Sequence, residues 1–150
     1  MNKKIIVSQI GSRHRYLIPK IFNDLGLLNL LLTDSSSLSN LGRCAKFLNR
    51  FIKNHKVRKL LNREIDNSIP HSLVKSKDSL FFKEIKFNFL KNLKISSNYK
   101  NYHDVKLNGI AKDYFKYLKL SNGENILYNM FIENISLVRK AKNMGYKIYS

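Results

Sequence analysis

Residues 4–34 read KIIVSQIGSRHRYLIPKIFNDLGLLNLLLTD, and this stretch decides the fold class. Lys4 to Ile10 is short, β-branched and aliphatic, as expected of a strand buried on both faces, and Gly11-Ser12 ends it. A helix should follow. Tyr16, Leu17, Ile18, Ile21, Phe22 and Leu25 give it an apolar face, Pro19 is tolerated in its first turn, and Gly26 stands where a helix C-cap belongs. Leu27 to Leu32 reads as a second buried strand ending at Thr33-Asp34, after which Ser35-Ser36-Ser37 breaks the pattern. Strand, helix and strand with short joins form the crossover unit of a parallel sheet.

The other end of the chain repeats this outline. Ile110 to Leu120 is helix-like, Ser121-Asn122-Gly123 is a turn signal, and Ile126-Leu127-Tyr128 reads as a short strand. Phe131 to Met144 forms a further helix with Ile132, Ile135, Leu137, Val138 and Ala141 apolar. Arg139, Lys140 and Lys142 favour its C-terminal dipole, and Gly145 caps it. Tyr146-Lys147-Ile148-Tyr149 begins another strand, and an α/β protein that stops there is expected to be incomplete.

Between these units the chain changes character. Residues 43–106 hold 16 Lys and Arg against 5 Asp and Glu, a net +11, whereas residues 1–42 carry +3 and residues 107–150 carry +4. From Arg43 to Arg63, Cys44, Phe47, Leu48, Phe51, Ile52, Leu60 and Leu61 alternate with basic residues, a basic amphipathic helix that is imperfect around Asn54-His55. Ile69-Pro70 marks a break, and Leu80 to Leu93 is a second apolar and basic helical stretch. The expected architecture is therefore an α/β core with a basic helical insertion at about 43–106.

Composition agrees with one folded domain. The chain has 150 residues, 43% of them hydrophobic and 25% charged, with 6 Gly and 2 Pro. Its net charge of +18 directs attention to an acidic partner, whether nucleic acid, anionic lipid or a phosphorylated substrate, although the Lys, Asn and Ile excess also fits an AT-rich coding sequence. Cys44 is the single cysteine, which excludes an internal disulfide and reads as a small buried hydrophobe in a reducing compartment. The apolar runs are too short for a signal-peptide core or for the roughly 20 residues of a membrane span, so a cytoplasmic protein, peripheral at most on the inner face of the membrane, is expected.

Gly11, Ser12, Arg13, His14 and Arg15 are the candidate anion site. They follow the first strand and lead into a helix N-terminus, where free N–H groups and the dipole favour negative charge. A solvated basic turn is the alternative. A dinucleotide site fits poorly because the three-glycine fingerprint is missing, even with Asp34 at a ribose-contacting distance along the chain. Asp34 and Glu133 are the best-placed carboxylates, though capping or surface roles suit them as well. His14, His55, His71 and His103 are scattered, so no metal site or cofactor is expected. The basic helices, with Arg50, Lys53, Lys56, Lys83 and Lys86, read as a solvated cover on the core, as a membrane-docking face, or, with least support, as a nucleic-acid surface.

These residues also resemble a family. Ile5 to Arg13, Tyr16-Leu17-Ile18-Pro19-Lys20, Leu25-Gly26-Leu27-Leu28 and Leu32-Thr33-Asp34 are similar to the N-terminal domain of bacterial family 4-type glycosyltransferases of the GT-B fold. Ile69-Pro70 with Leu73-Val74-Lys75-Ser76, and Tyr128 through Gly145 with the strand after it, resemble later parts of that domain. The family more often has His just before the tyrosine matched by Tyr16, where this chain has Arg15 and carries His14 one place earlier.

The resemblance implies that residues 1–150 form a single Rossmann-like, acceptor-side domain whose Gly11–Arg15 loop lines a cleft. Cationic groups there would stabilise charge on the leaving diphosphate of a nucleotide-sugar donor. It also implies a sugar or lipid-linked acceptor. By the same resemblance the C-terminal donor-binding domain is expected to be missing from these 150 residues, since no stretch matches its Glu-containing motif, and the chain alone is expected to be inactive as a transferase. A basic, non-enzymatic module binding an anionic membrane or nucleic acid is the alternative.

Overall fold

A computed structural model of the chain describes residues 3–10, 16–34, 36, 38–48, 64–78, 112–120, 122–130 and 135–150. Its centre is a five-stranded, all-parallel sheet. The elements are β1 (Lys3–Ser8), α1 (Leu17–Asp24), β2 (Leu28–Thr33), α2 (Asn40–Leu48), β3 (Val74–Ser76), β4 (Glu124–Asn129), α3 (Ile135–Asn143) and β5 (Lys147–Tyr149). The strand order is β3-β2-β1-β4-β5. The chain first steps outward from β1 to β2 and β3, then returns to the other side of β1 for β4 and β5. Crossovers of one hand that step in opposite directions put their helices on opposite faces of the sheet.

The two apolar clusters follow that rule. Ile5, Val7, Leu28, Leu31 and Ile126 pack with Tyr16 and Phe22 of the α1 segment on one face. Ile6, Leu32 and Leu127 pack with Leu137 and Ala141 of α3 and with Tyr114 and Leu118 on the other. A register shift between Ile5 and Ile6 makes this possible on β2: Ile5 opposes Leu28 and Ile6 opposes Leu30, so Asn29 is the extra residue. Without the shift, Leu28 and Leu30 would share a face. With it, they serve opposite cores.

Helix ends are set by glycine. Gly26 and Gly145 adopt φ of 67° and 89° just beyond α1 and α3, a left-handed turn that a side chain resists even though the space beside each is open. Both caps were expected.

Three expectations need correction. Residues 74–76, inside the stretch expected to be a helical insertion, form β3 against β2. Of that insertion, 43–48 lie in α2, as a helical reading expects, and 49–63 and 79–106 lie outside the described residues. Tyr16, expected on the helical apolar face, is instead the residue before α1, with φ 59° and ψ 32°. Cys44 is exposed rather than buried. The helix turns by about 100° per residue, so Cys44 stands on the far side of α2 from the buried Gly42.

The segment 64–70 is fastened to α1. Lys20 Nζ donates to Asp66 Oδ2 at 2.8 Å, Asn23 Nδ2 donates to the Ser68 carbonyl at 3.0 Å, and Ile65 and Ile69 are buried in the α1-side cluster. The Lys20 hydrogen bond and the Ser68 N–H together pull the Asp66 carboxyl down to about 2. A depressed carboxyl contributes stability above its unfolded value, near 4, and loses it as pH falls through its folded value. Asp66→Asn should therefore lower the urea midpoint at neutral pH, and the gap from the unmodified protein should close as pH falls from 5 toward 2.

Candidate functional site

In a parallel sheet all carboxyl ends lie on one edge, and here that edge gathers the buried polar residues. Among the described residues, Ser8, Gln9, Thr33, Asp34, Ser36, Ser39 and Asn129 are the buried polar or charged ones. Each stands at the carboxyl end of β1, β2 or β4, or in the segment after β2. The opposite edge differs. There Glu124 at the start of β4 pairs with Lys147 at 2.6 Å and Lys3 at 3.7 Å, and both lysines are well exposed.

Main-chain hydrogen bonds extend the sheet beyond the strands at the carboxyl edge. Gln9 N–H donates to the Leu32 carbonyl, Met130 N–H to the Ser8 carbonyl and Lys77 N–H to the Asp34 carbonyl, each at 2.9–3.0 Å. Side chains form a second layer. The Tyr16 hydroxyl and Thr33 Oγ1 are 3.2 Å apart, and Thr33 Oγ1 also donates to Asp34 Oδ1 at 3.4 Å. The Tyr114 hydroxyl donates to the Thr33 carbonyl and lies 3.5 Å from the Lys75 carbonyl. Burial, and then the nearby Asp34 charge, hold the Tyr114 phenol well above its ordinary range.

Beyond β2, Ser39 caps α2. Its Oγ accepts from Gly42 N–H at 3.1 Å and donates to the Ser36 carbonyl at 2.8 Å. No side chain caps α1. Two polar atoms in this layer, Ser36 Oγ and Asn129 Nδ2, are buried without a hydrogen-bond partner among the described residues.

The strand order reverses between β1 and β4, so their carboxyl ends flank the switch point where open α/β sheets form a ligand crevice. Ser8 and Asn129 oppose each other there. The neutral side chains Ser8, Gln9 and Asn129 can hydrogen-bond a polar ligand, and Asp34 adds a carboxylate beyond β2.

Gly11, Ser12, Arg13, His14 and Arg15 lie outside the described residues, as do Glu133 and the basic residues Arg50, Lys53, Lys56, Lys83 and Lys86. The residues flanking that loop, Ile10 and Tyr16, are described, and Tyr16 binds the carboxyl edge through Thr33. Sequence reasoning missed Ser8, Gln9, Asn129 and Tyr114. A polar residue closing an otherwise apolar strand was the available signal for Ser8 and Asn129. No His, Cys, Asp or Glu cluster among the described residues could hold a metal ion, and none of their helices is long and apolar enough to cross a membrane. No family model, curated protein or solved structure matches the chain.

Proposed function

We propose that this chain is the acceptor-side part of a nucleotide-sugar-dependent glycosyltransferase of the GT-B type, acting with a separate donor-binding domain. The observation that carries the reading is the concentration of buried polar side chains on the carboxyl edge of a parallel sheet, at and beside its switch point. The resemblance of residues 5–34 to the N-terminal domain of such enzymes supplies the reaction class. In this reading the edge holds and orients a sugar or lipid-linked acceptor, and the donor domain brings the nucleotide sugar across a cleft.

The test is co-expression with whatever α/β domain the adjoining DNA encodes, followed by an assay of nucleotide release from UDP-, GDP- and ADP-sugars. The pair should release nucleotide in the presence of acceptor, and the chain alone should release none. Absence of release from every donor would remove the reading.

A non-enzymatic module docking on anionic membranes is the second reading. Leu17, Ile21 and Leu25, four residues apart on and just after α1, are 51%, 43% and 64% exposed on a chain of net charge +18. Retention on anionic vesicles that falls steeply with salt, without nucleotide release in the paired assay, would favour it.

A further inference from the structure

We infer that the Asn129 carboxamide reads the bound ligand, donating from Nδ2 to a ring or hydroxyl oxygen of a sugar held at the switch point. The identity of the ligand rests on the acceptor-side reading above, whereas the role of Asn129 rests on its own surroundings. Asn129 closes β4 opposite Ser8, which closes β1, and the two are 2% and 3% exposed. Alternation along the strands places both on the face that carries Ile6 and Leu127, the face covered by α3. An aliphatic residue at 129 would extend that core.

The sequence instead has an amide whose Nδ2 finds no hydrogen-bond partner among the described residues. A buried donor left unpaired lowers stability, so its presence here calls for a partner beyond the described residues, and a ligand at the switch point would supply one. Among the described residues, the neighbourhood suits a sugar better than an anion. Ser8, Gln9 and Asn129 each offer donors and acceptors, as sugar hydroxyls do. The described lysines of the carboxyl edge, Lys75 and Lys77, belong to the β3 side, where Lys77 pairs with Asp113 and Lys75 lies over the Tyr117 ring.

The experiment compares the unmodified chain with Asn129→Leu and Asn129→Val, using thermal denaturation and equilibrium titration with glucose, galactose, N-acetylglucosamine and inorganic phosphate. At least one sugar should raise the melting temperature of the unmodified chain, and both variants should bind it at least tenfold more weakly. Without ligand, at least one variant should melt no lower than the unmodified chain. Lower melting of both variants without ligand would make the amide structural and overturn the inference. So would unchanged sugar affinity in the variants, no sugar binding at all, or a response to phosphate alone. Sugar binding lost in the variants, with no nucleotide release in the paired assay, would remove the transferase reading and leave the role of Asn129 intact.

Discussion

Tyr16→Gly should destabilise this protein less than Tyr16→Ala, the reverse of the usual order for the two residues. Tyr16 is completely buried, so truncation to alanine removes an aromatic side chain from the α1-side core, a loss of about 3–5 kcal/mol by analogy with other buried aromatics. Its backbone, however, has φ 59° and ψ 32°, the left-handed region that costs an L-residue roughly 1–2 kcal/mol and glycine almost nothing. Glycine relieves that strain and alanine does not. Tyr16→Phe keeps the ring and removes the hydroxyl that contacts Thr33 Oγ1, so it should cost about 1 kcal/mol. Urea denaturation of the three variants checks the ranking, and an alanine variant as stable as the glycine variant would show that the backbone is not held in that conformation.

Tyr114→Ala should be comparably severe, again about 3–5 kcal/mol, because Tyr114 fixes the 112–118 segment to the α3-side core. Tyr114→Phe isolates the hydroxyl. It leaves the Thr33 carbonyl without this donor at a buried sheet edge and should cost about 1–3 kcal/mol. The phenol also has a signature in pH. Burial, reinforced by the Asp34 charge, raises its folded value above the unfolded value near 10. The proton is thus held more tightly in the folded state, and stability falls as pH rises above about 10. Tyr114→Phe should flatten part of that alkaline decline. An unchanged decline would place its origin elsewhere, with Tyr146, which burial also raises, the next group to substitute.

Much of the fold was legible because its signals are local. β1, β2 and α1 follow from an aliphatic run, an apolar helical face and a glycine where the helix stops, and β4, α3 and β5 follow in the same way. β3 was not legible: Val74-Lys75-Ser76 has one apolar residue and acquires its strand character from pairing with Leu31, Leu32 and Thr33. The site was less legible still. Ser8 and Asn129 become neighbours only through the register of β1 and β4, which no local pattern encodes. Cys44 misled because its apolar neighbours suggested burial, yet Phe47 on the same helix is also exposed. The Asn29 bulge was hidden too, since LLNLLL reads as a plain buried strand.

The central position of β1 has a kinetic consequence. On one side it pairs with β2, which follows after a single helix, but on the other it pairs with β4 from Lys3↔Glu124 to Ser8↔Asn129. That second ladder joins residues roughly 120 positions apart, so its formation must overcome a large loop-closure entropy and should be slow. During synthesis the first strand leaves the ribosome long before its inner partner exists. Until then, one aliphatic edge of Ile5, Ile6 and Val7 has no partner strand beside it, the kind of transient surface on which chaperones act and chains aggregate.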